Sequence, residues 1–158
     1  MPHIAIGSDH AGFDLKAELI ALATAQPERF AHATFTDVGT HTNASCDYPD
    51  YAHAVANALS NTENDSTKPT LGILICGSGI GVSIAANRHA HIRAAICWNE
   101  STAVSARSHN NANVLCLPSR QISTDTAARL LELFLHTPFE GGRHERRVEK
   151  IELPNTTH

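Results

Sequence analysis

Leu71-Gly72-Ile73-Leu74-Ile75-Cys76 carries no charged or hydroxyl side chain and breaks at once into Gly77-Ser78-Gly79-Ile80-Gly81. A strand with one wet face alternates apolar and polar residues, so an unalternating run predicts a strand covered on both faces. Ala94–Cys97 and Val114–Leu117 have the same character, and His3–Gly7 and Thr34–Val38 read as further short strands. Buried strands need helices on both sides, and the intervening segments have the period for it.

The first helix is predicted over Phe13–Ala23, where Phe13, Ala17, Ile20 and Ala21 recur at helical spacing. Tyr51, Val55 and Leu59 mark the next helical face, followed by helices over Gly79–Asn87 and Ser101–Ser108. Ser123 is an N-cap for Thr124–Leu135, which gathers Ala127, Leu130, Leu131 and Phe134 on one side. Arg143–Ile151 forms a last helix after the Gly141-Gly142 break, and the polar stretch Ser60–Thr70 reads as a solvated loop. Repeated strand–helix units predict an α/β fold, a three-layer Rossmann-like sandwich with a mainly parallel central sheet flanked by helices. At 158 residues the chain fits one domain spanning 1–158.

Charge narrows the partners. The formal net charge is -4, which disfavours a nucleic-acid polymer, yet Arg143, Arg146, Arg147 and Lys150 crowd together. Such a local excess suits a small anion. No stretch approaches the ~18 apolar residues of a membrane span. The start, Met1-Pro2-His3-Ile4, shows no basic leader, and the four cysteines form no CxxC pair. A cytoplasmic protein without a disulfide framework or structural zinc is expected.

In open parallel sheets, ligands bind beyond the carboxyl ends of the strands. Three post-strand segments therefore belong to one sheet edge: Gly7–Gly12, Cys76–Gly81 and Trp98-Asn99-Glu100. In the second, alternate glycines let backbone N–H groups turn toward one point, just where a helix starts. Such a cradle holds a phosphate, a dinucleotide pyrophosphate or a reaction oxyanion. A dinucleotide fingerprint needs G-x-G-x-x-G after the first strand, whereas this is G-x-G-x-G after a middle one, although Glu100 lies about 20 residues on. A cysteine phosphatase loop needs Arg six positions after its Cys, and that position is Val82.

Cys76 at the loop entrance is a usable base or nucleophile, since a helix N-terminus favours its thiolate. The plainer reading is a buried strand-end cysteine, which is the reading for Cys97 and Cys116. Asp9-His10 follows the first strand as either a ligand pair or a loop cap. His109-Asn110 ends a helix, where a C-terminal cap is the simple account. Arg143 and Arg147 lie four apart, so they either clamp an anion together or pair with Glu145 and Glu149 on a solvated face.

Taken together, these segments resemble the B-type ribose 5-phosphate isomerases, in the family shared with galactose 6-phosphate isomerases. The likeness is carried by Ile4–Phe13, Asp47-Tyr48-Pro49, Ile75–Gly81, Ser83–Asn87, Ser108-His109-Asn110, Ala112-Asn113-Val114 and Glu140–His144. It spans about residues 3–152. The resemblance implies an aldose–ketose isomerase that interconverts ribose 5-phosphate and ribulose 5-phosphate in the non-oxidative pentose phosphate pathway.

It further implies Cys76 as the base, with the backbone of Gly77, Ser78, Gly79 and Gly81 and the Ser78 hydroxyl on the enediolate. His109 opens the sugar ring, Asp9 and Tyr48 surround the sugar, and Asn110 meets its hydroxyls. His10, Arg120, Arg143 and Arg147 hold the phosphate. A homodimer with shared sites is implied, or a tetramer built from it, with the last helix packing on the partner. Neither a cofactor nor a metal is required, because backbone N–H groups can stabilise the oxyanion. The segments 26–32 and 60–70 look longer than in compact relatives. The alternatives are isomerisation of a six-carbon sugar phosphate, such as allose 6-phosphate or galactose 6-phosphate, and a non-catalytic sugar-phosphate sensor.

Overall fold

A computed structural model describes residues 1–60, 65 and 67–154. Five strands form one parallel sheet: β1 (His3–Ser8), β2 (Thr34–Asp37), β3 (Leu71–Cys76), β4 (Ala94–Ile96) and β5 (Val114–Pro118). Their spatial order is β2-β1-β3-β5-β4. Six α-helices surround it: α1 (Phe13–Ala25), α2 (Tyr48–Leu59), α3 (Ile80–Ala86), α4 (Glu100–Ser108), α5 (Thr124–His136) and α6 (Arg143–Glu149). The expected three-layer α/β sandwich is present. The polar Ser60–Thr70 connection lies partly outside the described residues, at 61–64 and 66.

β3 is the middle strand, which is why it carries no polar alternation. Ile73 and Ile75 pack into the layer of α1, α4 and α5, whereas Leu74 and Cys76 pack into the layer of α2 and α3. Burying each large aliphatic chain contributes roughly 1.5–3 kcal/mol, so β3 anchors both cores. On α5 the expected residues Ala127, Leu130, Leu131 and Phe134 are buried, and Ser123 Oγ accepts the Thr126 amide at 3.1 Å.

α1 corrects the expected face. Leu15, Leu19 and Ala23 turn inward, while Ala17 and Ala21 are exposed and Phe13 and Ile20 only half-buried. Apolar residues occur around the whole circumference of this helix, so period alone does not orient it. Lys16 is also drawn in, 2% exposed, with Nζ donating to Asp37 Oδ1 at 2.5 Å and to the Thr40 carbonyl at 2.6 Å. This buried cation staples the turn after β2 to α1, and a polar letter in a helix gives no hint of it. α6 ends at Glu149, short of the expected Ile151, and buries only His144.

The order β2-β1-β3 contains the topological switch. The chain leaves β1 outward to β2, then crosses back to β3 on the other side. The loops after β1 and β3 therefore diverge and leave a crevice at the carboxyl edge.

Candidate active site

That crevice is a cavity of about 370 Å³ lined by Asp9, Tyr48, Cys76, Gly77, Ser78, Gly81, Arg120 and Gln121. It falls in the range of small-ligand pockets, about 300–1,000 Å³. A larger groove of about 1290 Å³ runs at the other edge between residues 87–95 and the tail 151–154. It contains neither a nucleophile nor a glycine loop, so the smaller cavity is the candidate site.

Cys76, the last residue of β3, is 4% exposed and points into the α2–α3 layer at the cavity floor. The Gly79 amide donates to its Sγ at 3.2 Å, which fixes the side-chain direction. Gly79 alone of the loop glycines has a left-handed backbone, at φ 72°, and there a Cβ would press on the Leu117–Pro118 backbone at 3.3 Å. The Ile80 amide is taken by Ser78 Oγ at 3.2 Å. The Gly77 and Ser78 amides have no acceptor among the described residues. The Gly81 amide likewise has none, so three donors are left at the loop.

Gly77 and Gly81 serve instead as gaps. A Cβ on Gly77 would stand 2.8 Å from a guanidinium nitrogen of Arg120, and one on Gly81 would stand 2.6 Å from the Tyr48 ring. Small residues at these points let a cation and a phenol close over the cysteine. Arg120 has no ion-pair partner among the described residues.

Asp9 turns out to be both cap and lining. Its Oδ1 accepts the amides of Ala11 at 3.0 Å and Gly12 at 3.3 Å, ordering the short turn His10–Gly12, while the residue borders the cavity. Beside it, His10 Nδ1 accepts the Cys46 amide at 3.2 Å, which assigns the ring proton to Nε2, a donor for an anion. Gln121 and Ser119 escaped sequence reasoning. They follow β5, whose post-strand loop obeys the same edge rule; Ser119 Oγ ties it to the Ala11 carbonyl at 2.9 Å.

The remaining predicted residues lie elsewhere. Gly72 pairs with Val114 and Cys76 with Pro118, and the Asn113 carbonyl accepts the Gly72 amide at 2.8 Å. The segment from His109 to Asn113 therefore meets the sheet four residues back from Cys76, roughly 13 Å at ~3.3 Å per residue. His109 caps α4 at this amino edge, exposed, with Asn110 beside it. Its ring stacks on His144 at 4.4 Å, which brings α6 with exposed Arg143 and Arg147 to the same edge. Neither arginine forms an ion pair with Glu145 or Glu149. The predicted site residues thus fall into two groups at opposite edges of the sheet.

Two other candidates resolve. Glu100 heads α4 and holds Arg129 at 3.2 Å on the surface, so it is engaged away from the glycine loop. Cys97 and Cys116 are fully buried; burial pushes the Cys97 thiol up to about 11 and the Cys116 thiol well above its usual range. Both are inert packing residues at neutral pH.

Residues 4–151 match the ribose/galactose isomerase family model. The chain belongs to the ribose/galactose isomerase family. Membership makes its reaction class aldose–ketose isomerisation. It is 43% identical to ribose-5-phosphate isomerase B of Escherichia coli over 96% of this chain and 95% of that one. A ribose 5-phosphate isomerase structure from Thermotoga maritima superposes with a TM-score of 0.87 at 46% identity, covering 96% of this chain and 97% of that chain. Ribose-5-phosphate isomerase B of Mycoplasma genitalium, solved with bound ribulose 5-phosphate, superposes at 0.84 with 41% identity, covering 94% and 93%. Among the described residues no helix is long and apolar enough to cross a membrane.

Proposed function

We propose that this chain interconverts D-ribose 5-phosphate and D-ribulose 5-phosphate through an enediolate, with Cys76 as the base. The observation that carries the reading is the buried Cys76 thiol at the head of a loop whose Gly77, Ser78 and Gly81 amides are unpaired among the described residues. Isomerisation needs a base at the carbon between two oxygens and donors where negative charge develops.

In the open-chain aldose, Cys76 as thiolate takes the C2 proton, and the electron pair moves toward the C1 oxygen. The Gly77 and Ser78 amides hold the charge that appears, each such donor contributing roughly 3–4 kcal/mol. With the hydroxyl proton exchanged between O1 and O2, the Cys76 thiol returns a proton to C1 and the ketose forms. The Ser78 hydroxyl and the Asp9 carboxylate face the sugar, and Tyr48 covers it. His10 Nε2–H and Arg120 supply phosphate donors from the same chain.

His109, Asn110, Arg143 and Arg147 complete the site from a second copy, because the amino-edge position of all four keeps them from their own Cys76. In that arrangement His109 exchanges protons with the ring oxygen and O1 to open the furanose. Exposed Ile80 and Ile84, one turn apart on α3, and exposed Trp98 after β4 are apolar side chains that such a copy would cover. A homodimer is the minimum unit of this scheme. Four free cysteines suit the reducing cytoplasm.

The test is ribose 5-phosphate turnover in chelator, with Cys76→Ala alongside. Turnover that vanishes in the variant, with ligand binding kept, supports the assignment. Retained turnover in Cys76→Ala removes the cysteine from its role, and an inactive wild type moves the reading to a six-carbon sugar phosphate.

A further inference from the structure

The amino-edge residues contain a grouping that isomerisation does not explain. One ring nitrogen each of His109 and His144 and one carboxylate oxygen of Glu140 all lie within 4.8 Å of one another. The two imidazoles stack nearly parallel, 9° apart, and neither ring has a hydrogen-bond partner among the described residues. The Glu140 carboxylate lies 3.6 Å from His144 Nε2.

We propose that His109, Glu140 and His144 form a binding site for a first-row divalent transition ion of the zinc class, and that the ion inhibits turnover by occupying His109. Two imidazoles and one carboxylate are a recurrent zinc ligand set that leaves a fourth position open. Nitrogen donors select such ions over magnesium or calcium. Bonds of about 2.0–2.1 Å in a tetrahedral site bring donor atoms to about 3.3 Å, so the triad must close by up to about 1.5 Å. Exposed His109 and Glu140, which is 59% exposed, have the freedom to do so by side-chain rotation. Arg143 and Arg147 oppose a cation here, and the Glu140 carboxylate offsets part of that field. The inhibitory half of the proposal rests on the role given above to His109, whereas the binding half does not.

The experiment begins with chelator-stripped full-length protein and no substrate, titrated with Co(II) and followed by its visible d–d absorption, then displaced with Zn(II). One ion per chain is expected. His144→Ala and Glu140→Gln should each weaken binding by at least the roughly 10–100-fold that loss of even an outer-shell partner costs. Absence of stoichiometric binding, or binding unchanged in both variants, overturns the site. Glu140 is on the surface, so its variant tests the site even if His144→Ala fails to fold. Turnover with added Zn(II) then tests the consequence: the wild type should lose activity reversibly, with chelator restoring it, and Glu140→Gln should need correspondingly more zinc. Zinc that binds without slowing the wild type overturns the inhibition. An isomerase that is inactive even when metal-free sinks the functional reading instead, and leaves the binding titration to decide the site.

Discussion

Gly77→Ala separates what the glycine's backbone does from what its missing side chain allows. The substitution keeps the amide and demands no left-handed conformation, because Gly77 is absent from the positive-φ residues. Its only cost is space. The new Cβ would stand 2.8 Å from an Arg120 guanidinium nitrogen and 3.1 Å from its central carbon, against ordinary contacts beyond 3.4 Å. Those atoms end a flexible, exposed side chain, so Arg120 moves aside and the fold stays intact. A charge-assisted hydrogen bond to phosphate is worth roughly 1.5–3 kcal/mol, and solvent exposure of Arg120 argues for the lower half. At 1.4 kcal/mol per tenfold, KM for the sugar phosphate should rise about 10- to 40-fold. Because the amide donor is preserved, kcat should hold within about threefold, and stability should change by no more than about 0.5 kcal/mol. Steady-state kinetics of Gly77→Ala, Arg120→Ala and the double variant form the assay. The double variant should match Arg120→Ala, since one cause acts through the other. Additive effects, or a large fall in kcat with KM unchanged, would refute the gap role and make the loop backbone itself the sensitive element.

Cys76→Ala should cut kcat by about 10²–10⁴-fold, the span of a positioned base, while equilibrium dialysis shows the sugar phosphate still bound. Mixing inactive Cys76→Ala with inactive His109→Ala should restore about a quarter of wild-type activity, because half of randomly assorted dimers are hybrids with one whole site; no recovery after subunit exchange would mean that the site is not shared. Alkaline pH should destabilise the fold through Cys97. Its folded pKa of about 11 exceeds the ordinary 9.0, so the stabilisation is complete below pH 9 and lost between there and 11. On the order of 2–3 kcal/mol is involved, and denaturant melts of Cys97→Ala across that range should show a shallower slope.

The interior strands were legible in the sequence because burial on both faces leaves no other composition for them. Leu71–Cys76 reads as a central strand and lies at the centre. The orientation of α1 was not legible, since apolar residues surround it, and the sheet rather than the helix selects Leu15 and Leu19. Lys16 was invisible for the same reason: its partners Asp37 and Thr40 are far along the chain and meet it only in the fold.

The candidate site divides along the same line. A strand-end cysteine followed by alternate glycines marks the candidate loop from local chemistry alone, since turn geometry and donor groups are properties of adjacent residues. What each glycine does was decided by its neighbours in space: Arg120 against Gly77, Tyr48 against Gly81, the Leu117–Pro118 backbone behind Gly79. The separation of Cys76 from His109 was likewise decided only by the parallel register of β3 and β5. Residue order along a chain records which groups are present, whereas strand direction and packing determine which of them can meet.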